Sequence, residues 1–429
     1  MSETPDSILK KIREAKKKQL KQLDLSNEIG SPDDQKLTSI PPEVFALTQL
    51  EVLNLSGNKL SAISDAIGQL RNLRELDLSV NHLTVIPDAI GKLTNLTTLN
   101  LWANEEKQVQ VPPWIAQLRN ITSLDLVGFH LTAVPEWIVG WGNLAELNLS
   151  GNQLSVLPEW IAQFQNLTVL WLAHNELTGV PSSFSRLKKL QRLNLARNRI
   201  SEFPSPILEI ASLTELDLSE NQLVNIPDAI DQLRHLEGLW LRANNLTAIP
   251  ETIGKLQSLR YLILWNNRLT VLPDGMYSLP LLEELQLQDY SMYPNKNQIE
   301  EISPKILQLK NLKELNLKDN PIKVPPAEIA NQGVEAIKEY FRQLEAQGTD
   351  YLYEAKLLIV GEGGAGKTTL AKKIQDPQYQ LHEEDSTRGI DVIRWQFPLE
   401  NGHTFQVNIW DFGGQEIWLS DISRGSYHM

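Results

Sequence analysis

The residues best suited to chemistry lie near the end of the sequence, in the glycine-rich segment Gly361–Thr368 that reads GEGGAGKT. This segment follows the apolar run Ala355–Val360, which we predict to be a buried strand, and precedes helix-forming residues up to Ile374. A strand, a glycine-rich turn and a helix in this order bring backbone N–H groups to a helix N-terminus, where they bind phosphate. We therefore predict that a nucleotide phosphate is held by Gly361, Glu362, Gly363, Gly364, Ala365, Gly366, Lys367, Thr368 and Thr369.

Two side chains at the end of this phosphate loop have distinct predicted roles. Lys367 places a positive charge at the β- and γ-phosphates, and we predict it to be catalytic because it neutralises charge on the transferred group. Thr368 offers its hydroxyl group to a Mg²⁺ ion. The spacing thus predicts magnesium-dependent nucleotide binding, but it does not indicate which base the nucleotide carries.

A second motif, Asp411-Phe-Gly-Gly-Gln415, follows two strand-like segments. These segments, Ile390–Pro398 and His403–Trp410, are joined across an Asn-Gly dipeptide that is typical of tight hairpin turns. We predict that Asp411, at the end of a strand facing the phosphate loop, holds Mg²⁺ through water. Gly414 is predicted to donate its N–H to a γ-phosphate, and Gln415 is predicted to be catalytic by orienting an attacking water.

The chain before these motifs repeats with a period close to 23 residues. Each copy carries a Leu-x-Leu segment and then an asparagine, as in Leu76-Asp-Leu78 followed by Asn81. The alternation predicts a short strand with inward leucines, and copies must stack because one copy cannot bury its own apolar face. Thirteen copies of this leucine-rich repeat predict a solenoid. The asparagines are Asn58, Asn81, Asn104, Asn152, Asn175, Asn198, Asn221, Asn244, Asn267 and Asn320, and we assign Glu28, Phe129 and Tyr290 to the equivalent slot in other copies.

The ends of such a solenoid need caps, because a terminal repeat would otherwise expose its apolar face. Residues 1–22 predict a basic capping helix with Ile8, Ile12 and Ala15 turned inward. A second helix is predicted in Gly333–Gly348, with Val334, Ile337, Phe341 and Leu344 on its inner side. The predicted organisation is a cap at 1–22, a solenoid at 23–332, a cap or linker helix at 333–350, a partial nucleotide-binding domain at 351–416 and a tag-like remnant at 417–429.

The outward strand positions form the concave face of the predicted solenoid. Most of them are polar, but aromatic and aliphatic side chains occur on neighbouring repeats, with Arg242 beside them. Exposed aromatics next to an arginine are typical of protein interfaces. The predicted partner-binding residues are Trp171, Trp240, Tyr261, Ile263 and Trp265. Both a protein partner and an intramolecular domain remain open as the occupant.

Composition excludes several classes of protein. The formal net charge is −13, so a nucleic-acid-binding surface is not expected. The absence of cysteine excludes disulfides, thiolate metal sites and cysteine nucleophiles. The sequence contains no apolar run of about 18 residues and no secretory signal pattern, so we expect a cytoplasmic protein without a transmembrane segment.

The motif Asp411-x-x-Gly414-Gln415 after a two-stranded hairpin, with Thr387 ahead of it, resembles the Ras-like GTPases. Leucine-rich repeats, a linking helix and then such a domain resemble the Roco family. The resemblance implies an α/β fold: a solenoid with short helical or irregular convex segments, followed by the N-terminal half of a Ras-like P-loop domain. It also implies GTP and GDP as ligands, Mg²⁺ as the metal, hydrolysis of GTP, Thr387 as a switch residue on nucleotide and metal, and dimerisation through a downstream domain.

The sequence departs from the Ras-like pattern after Glu416. No Asn/Thr-Lys-x-Asp segment, which reads guanine, is present. Because half a sheet buries little apolar surface, we expect residues from about 350 onward to be poorly folded in this chain and to bind nucleotide weakly or not at all.

Two other functions stay open at this point. The chain could be an adaptor whose solenoid is the working part, with no nucleotide function. It could also be an ATP-driven switch of the immune-receptor type, although such proteins usually place their repeats after the nucleotide domain, and here the repeats come first.

Overall fold

The computed structural model describes residues 4–28, 30–102, 113–288, 297–347, 354–359, 366–380, 390–399 and 404–412. The chain divides into two compact units, Met1–Gln343 and Leu344–Met429, with the division inside the predicted linker helix. Within the described ranges, no helix combines the length and apolar character needed to cross a membrane.

The first unit contains one parallel sheet of thirteen short strands, which confirms the predicted solenoid. Neighbouring strands follow chain order, and their central leucines pair in register, as Leu53 does with Leu76. These leucines are buried, apart from a partly exposed Leu315 in the last strand. The strands are β1 Gln22–Asp24, β2 Val52–Asn54, β3 Glu75–Asp77, β4 Thr98–Asn100, β5 Ser123–Asp125, β6 Glu146–Asn148, β7 Val169–Trp171, β8 Arg192–Asn194, β9 Glu215–Asp217, β10 Gly238–Trp240, β11 Tyr261–Ile263, β12 Glu284–Gln286 and β13 Glu314–Asn316.

A short 3₁₀ helix returns the chain in each repeat, as expected for the convex side. Most begin directly after a proline, whose fixed φ suits a helix start and which cannot pair in a sheet. Their inner apolar residues join the leucines in one continuous core. The 3₁₀ helices are Asp33–Gln35, Pro42–Ala46, Asp65–Gln69, Asp88–Lys92, Pro113–Gln117, Glu136–Gly140, Glu159–Gln163, Ser182–Arg186, Ser205–Glu209, Asp228–Gln232, Glu251–Lys255, Asp274–Ser278 and Pro304–Gln308.

A buried row of asparagines ties each repeat to the one before it. In Asn81, Nδ2 donates to the carbonyl oxygens of Leu55 at 3.0 Å and Leu78 at 3.1 Å, and Oδ1 accepts the N–H of Leu60 at 3.0 Å. The backbone groups that leave the strand are thereby satisfied without a sheet partner. The same pattern is made by Asn58, Asn152, Asn175, Asn198, Asn221, Asn244, Asn267, Asn297 and Asn320.

The assignment of Tyr290 to this row is wrong, because Asn297 takes the place. Its Nδ2 donates to the Leu264 carbonyl at 3.0 Å, and its Oδ1 accepts the Leu269 N–H at 3.0 Å. The extra residues of this repeat therefore lie between its strand and its asparagine. Tyr290 itself lies outside the described residues.

Helices cap both ends of the solenoid. The N-terminal helix α1 spans Asp6–Lys18 and buries Ile8, Ile12 and Ala15, as predicted. At the other end, α2 spans Ala327–Ala330 and α3 spans Val334–Gln347. Three of the four side chains predicted to lie on the inner side of α3 are buried, namely Val334, Ile337 and Phe341. The prediction is wrong for Leu344, which is 42% exposed because the core ends one turn earlier.

After α3, the described residues of the second unit form a three-stranded sheet and one helix: β14 Glu354–Ile359, α4 Lys367–Gln375, β15 Ile390–Pro398 and β16 Thr404–Phe412. The order is β14-β16-β15, with β16 parallel to β14 and antiparallel to β15. Strand β16 extends past its predicted end at Trp410, because Asp411 pairs with Ile359 and Phe412 pairs with Ile390. Asp411 therefore lies within the strand rather than after it.

The described core of this unit is small. Its buried hydrophobic residues are Ile359, Ala371, Val407 and Ile409. The expectation that the segment after residue 350 is weakly folded stays a prediction.

Candidate functional sites

Parallel strands bring the described residues of the two predicted nucleotide motifs to the same edge of the small sheet. Strand β14 leads into the phosphate loop, and β16 carries Asp411 directly beside Ile359, the last residue of β14. Gly366 precedes α4 with a φ of 73°, a left-handed conformation that glycine adopts without steric cost. The helix then begins at Lys367 with its N-terminal N–H groups and positive dipole end at this edge.

Two predicted metal residues meet at this edge. The Thr368 hydroxyl donates a hydrogen bond to Oδ2 of Asp411, and Asp411 is fully buried. A buried carboxylate needs compensation from hydrogen bonds or a cation, and hydroxyl and carboxylate oxygens are hard ligands that suit Mg²⁺. Among the described residues, no three histidine or acidic side chains cluster as a metal site.

The structure places Lys367, Thr368 and Thr369 together in the first turn of α4, after Gly366. The other predicted nucleotide, metal and catalytic residues lie outside the described ranges: Gly361, Glu362, Gly363, Gly364, Ala365, Thr387, Gly414 and Gln415.

A cavity of about 900 Å³ lies beside α4 and was not anticipated from the sequence. The residues that line it include Gly366, Thr369 and Tyr379. The Lys373 ammonium donates to the carbonyl oxygen of Tyr379 at 2.7 Å. The Lys372 ammonium lies 5.6 Å from the centre of the Tyr379 ring. The signal that could have found Tyr379 is an aromatic residue in the turn that ends the phosphate-loop helix.

On the concave face of the solenoid, the third position of most strands caps its own turn. The side chain there accepts a hydrogen bond from the backbone N–H two residues later, at 2.8 to 3.2 Å. Nine strands do this with an aspartate or asparagine: Asp24, Asn54, Asp77, Asn100, Asp125, Asn148, Asn194, Asp217 and Asn316. Neither tryptophan nor isoleucine carries an acceptor, so Trp171, Trp240 and Ile263 forgo this bond.

The five predicted partner-binding residues differ in exposure. Tyr261 is 37% exposed, and Trp171, Trp240 and Trp265 are partly exposed. Ile263 is only 7% exposed, so the expectation that it offers contact area is wrong. It lies between Trp240 and Gln286 on the adjoining strands, and the longer side chains of these neighbours limit access to it.

Charged side chains form a chain along the same face. Arg197 approaches His174 and pairs with Glu220 at 2.7 Å, and Glu220 reaches Arg242 at 3.4 Å. The Arg242 guanidinium then lies 5.4 Å from the centre of the Trp265 ring. The aromatic patch is thereby joined to an ionic network that crosses several repeats.

Two carboxyl groups in the capping row have raised pKa values. Burial raises the pKa of Asp125 above its ordinary value of 3.8, against a lowering effect of bonds from Val127 and Asn148. Burial likewise raises the pKa of Asp217, although Ser219 and Arg242 favour its charged form. Both groups are thus held in a dry environment that disfavours a bare negative charge.

Family models match both units. The model described as "Ras of Complex, Roc, domain of DAPkinase" matches residues 356–424, and leucine-rich-repeat models match residues 33–83, 71–110, 143–200 and 210–335. A "Roc-COR-CHAT protease" from an unknown prokaryotic organism is 34% identical over 134 residues, 28% of this chain and 13% of that protein. The "Ras-related protein Rab-1A" of Dictyostelium discoideum is 40% identical over 81 residues, 18% of this chain and 39% of that protein. The chain thus matches only a minor part of the length of these relatives.

Solved structures resemble the solenoid. A leucine-rich-repeat protein of Leptospira interrogans superposes with a TM-score of 0.60 and 34% identity, covering 75% of this chain and 83% of that one. The PEPR1–AtPEP1 crystal structure superposes with a TM-score of 0.53 and 29% identity, covering 70% of this chain and 42% of that one.

Proposed function

We propose that this chain, which belongs to the leucine-rich-repeat proteins and carries a Roc domain after its repeats as in the Roco family, is part of a GTP-driven switch. The Roc domain binds GTP with Mg²⁺ and hydrolyses it to GDP and phosphate. The solenoid binds a protein partner on its concave face, and the nucleotide state governs that binding.

One observation carries the nucleotide half of the proposal: Thr368 contacts a fully buried Asp411 at the sheet edge where β14 ends. A hydroxyl and an acid in this position, directly after a glycine-rich loop, are what nucleotide-bound Mg²⁺ requires. An apolar pair buried at these two positions would stabilise the fold more than this polar pair does.

Each residue has a distinct task in the proposed reaction. Lys367 and the N-terminal N–H groups of α4 hold the phosphates and offset their charge. Thr368 and Asp411 would hold Mg²⁺, which when bound neutralises charge that develops on the β- and γ-phosphate oxygens. Gln415 orients the attacking water. Gly414 donates its N–H to the γ-phosphate, and Thr387 is the switch residue that contacts nucleotide and metal. The cavity lined by Tyr379 is proposed to accept the base.

The test is a titration of the complete protein with N-methylanthraniloyl-GTP, with and without Mg²⁺. We expect saturable, Mg²⁺-dependent binding that Lys367→Ala and Thr368→Ala each weaken by about 100-fold or more. Lys356→Ala removes an exposed lysine from β14 and is the charge-matched control. Unchanged binding in Lys367→Ala would contradict the proposal, and a preference for the ATP analogue would favour an ATP-driven switch.

A second candidate function is that of an adaptor whose solenoid acts without nucleotide. The observation that favours it is the difference in the two cores, because the solenoid core extends from Ile8 to Phe341, whereas few of the described residues of the second unit are buried. An adaptor would keep its partner binding in Lys367→Ala at every GTP concentration, whereas a switch would lose its response to GTP.

A further inference from the structure

One tryptophan on the concave face occupies a position prepared for it by the neighbouring residue. Trp240 and Gly238 are the two outward residues of β10. A Cβ added to Gly238 would lie 2.2 Å from Cη2 of Trp240, so the indole ring lies across the glycine backbone. Each of the other twelve strands carries a side chain at the Gly238 position. The glycine in β10 thus leaves room for the indole ring of Trp240 to lie against the sheet.

A tryptophan at position 240 costs this repeat one hydrogen bond. The third strand position caps the turn in nine repeats, and Trp240 gives up that bond, as described above. A position that breaks a structural rule of the repeat, beside a glycine that admits its ring, is more readily explained by binding than by folding.

The preceding strand, β9, places two acidic residues beside this part of β10, and the first of them, Glu215, also lies beside Arg192 of β8. In the sheet register Glu215 lies beside Gly238, and Asp217 lies beside Trp240. A flat indole next to two carboxylates is a favourable environment for a cationic side chain, which gains from the ring face and from the acids together. The neighbouring repeat already has such a contact within the chain, since Arg242 lies over Trp265.

We propose that Trp240, Glu215 and Asp217 form a recognition site for an arginine or lysine side chain of an extended segment in the protein partner. The partner segment runs across β9–β11, and its cation lies on the Trp240 ring against the β9 carboxylates. This inference rests on the proposed partner-binding function of the solenoid and specifies the chemistry of the partner. The net charge of −13 would favour the approach of a basic segment.

The experiment measures binding of three capped eight-residue peptides to the full chain by isothermal titration calorimetry. The peptides alternate serine with arginine, glutamate or leucine, so that one side of an extended strand carries one chemistry. We expect the arginine peptide to bind best, with an affinity that falls as salt is raised. Trp240→Ala and Asp217→Asn should each weaken it by about tenfold.

Trp102→Ala is the matched control, because Trp102 is 40% exposed on the same face and distant in the repeat order. Gly238→Val tests the ring position, since the added side chain displaces the indole while Trp240 remains. Circular dichroism establishes that each variant is folded. Arginine-peptide binding that survives both Trp240→Ala and Asp217→Asn overturns the proposal, as does the absence of binding.

Tight binding of the leucine or glutamate peptide that depends on Trp240 would also overturn the cationic chemistry, yet it would leave the solenoid as a partner-binding surface. Nucleotide titration of the same variants separates this inference from the proposed switch. These variants lie in the solenoid, so their GTP binding should stay unchanged.

Discussion

The third position of each strand shows how a single side chain sets the role of a repeat. Aspartate or asparagine there accepts the N–H of its own turn, as Asn148 does from Ser150 at 3.1 Å. Tryptophan in the same position cannot accept that bond and instead presents an apolar ring. The repeats of β7 and β10 therefore carry a partly exposed indole ring, Trp171 or Trp240, at a position where nine other repeats cap a turn.

The buried asparagine row predicts a large and specific loss on truncation. Asn81→Ala would leave the Leu60 N–H and the carbonyl groups of Leu55 and Leu78 without their side-chain partner. We expect the free energy of unfolding to fall by on the order of 3 kcal/mol, because buried polar groups that lose a partner are costly. Urea unfolding followed by tryptophan fluorescence measures the change.

The control for this prediction is an asparagine of the same repeat on the surface. Asn95 is exposed, and its side-chain amide donates to the Arg71 carbonyl oxygen at 2.9 Å. Asn95→Ala should therefore cost about 1 kcal/mol or less. Equal losses in the two variants would mean that burial of the amide is not what makes the row important.

The pKa of Asp125 predicts a pH-dependent change in stability. Burial raises it above 3.8, so the contribution of this group to stability is fully present below pH 3.8 and is lost as pH rises through the folded-state pKa. The stability of Asp125→Asn relative to the wild type should thus increase as pH is raised from about 3 to 7. Thermal unfolding at several pH values measures it.

A carboxyl with the opposite shift serves as the control for Asp125. Hydrogen bonding to Lys59 lowers the pKa of Asp33 below 3.8, so its contribution is present above pH 3.8 and is lost as pH falls through the folded-state pKa. The relative stability of Asp33→Asn should decrease as pH rises. Slopes of the same sign in both variants would contradict the assigned causes.

The capping helices determine whether the repeats at each end stay folded. Helix α1 covers the first repeat with Ile8, Ile12 and Ala15 and directs its lysines to solvent. Contacts in a solenoid are made between neighbouring repeats, so the effect of a cap should decline with distance along the array.

This decline can be measured with Ile12→Ala. Ile12 is 3% exposed, and its truncation should cost about 2–4 kcal/mol in the local free energy of opening. Amide hydrogen exchange should accelerate in β1 and β2 and remain unchanged in β8. Arg13→Ala, on the exposed side of α1, is the control and should leave all three strands unchanged. A uniform acceleration through the array would contradict nearest-neighbour behaviour.

Periodicity is why most of these elements could be predicted. The Leu-x-Leu alternation fixes the strands, and the meeting of Thr368 with Asp411 follows because the ends of parallel strands share one edge of a sheet. The exposure of Ile263 depends on side chains of adjoining strands, which alternation within one strand does not report. Tyr379 belongs to no repeat or motif, so its sequence signal is weak, an aromatic residue in the turn after α4, and the fold reveals that it lines a cavity.

The two compact units differ in how their stability is built. The solenoid spreads its core over thirteen strands, so no single repeat decides whether the array is folded. In the part of the second unit that the structure describes, only a few residues around α4 and β16 are buried. Loss of one of those residues removes a large fraction of this described core, and we expect that unfolding there does not require unfolding of the repeats.

Ile409→Ala tests this difference between the units. Ile409 is fully buried in the central strand of the small sheet, and its truncation should cost about 2–5 kcal/mol. We expect amide exchange to accelerate throughout β14–β16 and to stay unchanged in β6–β8. Val392→Ala, at a 47% exposed position of the edge strand β15, is the control and should have little effect. Acceleration in β6–β8 as well would show that the two units unfold as one and would contradict the independence on which a nucleotide-free adaptor depends.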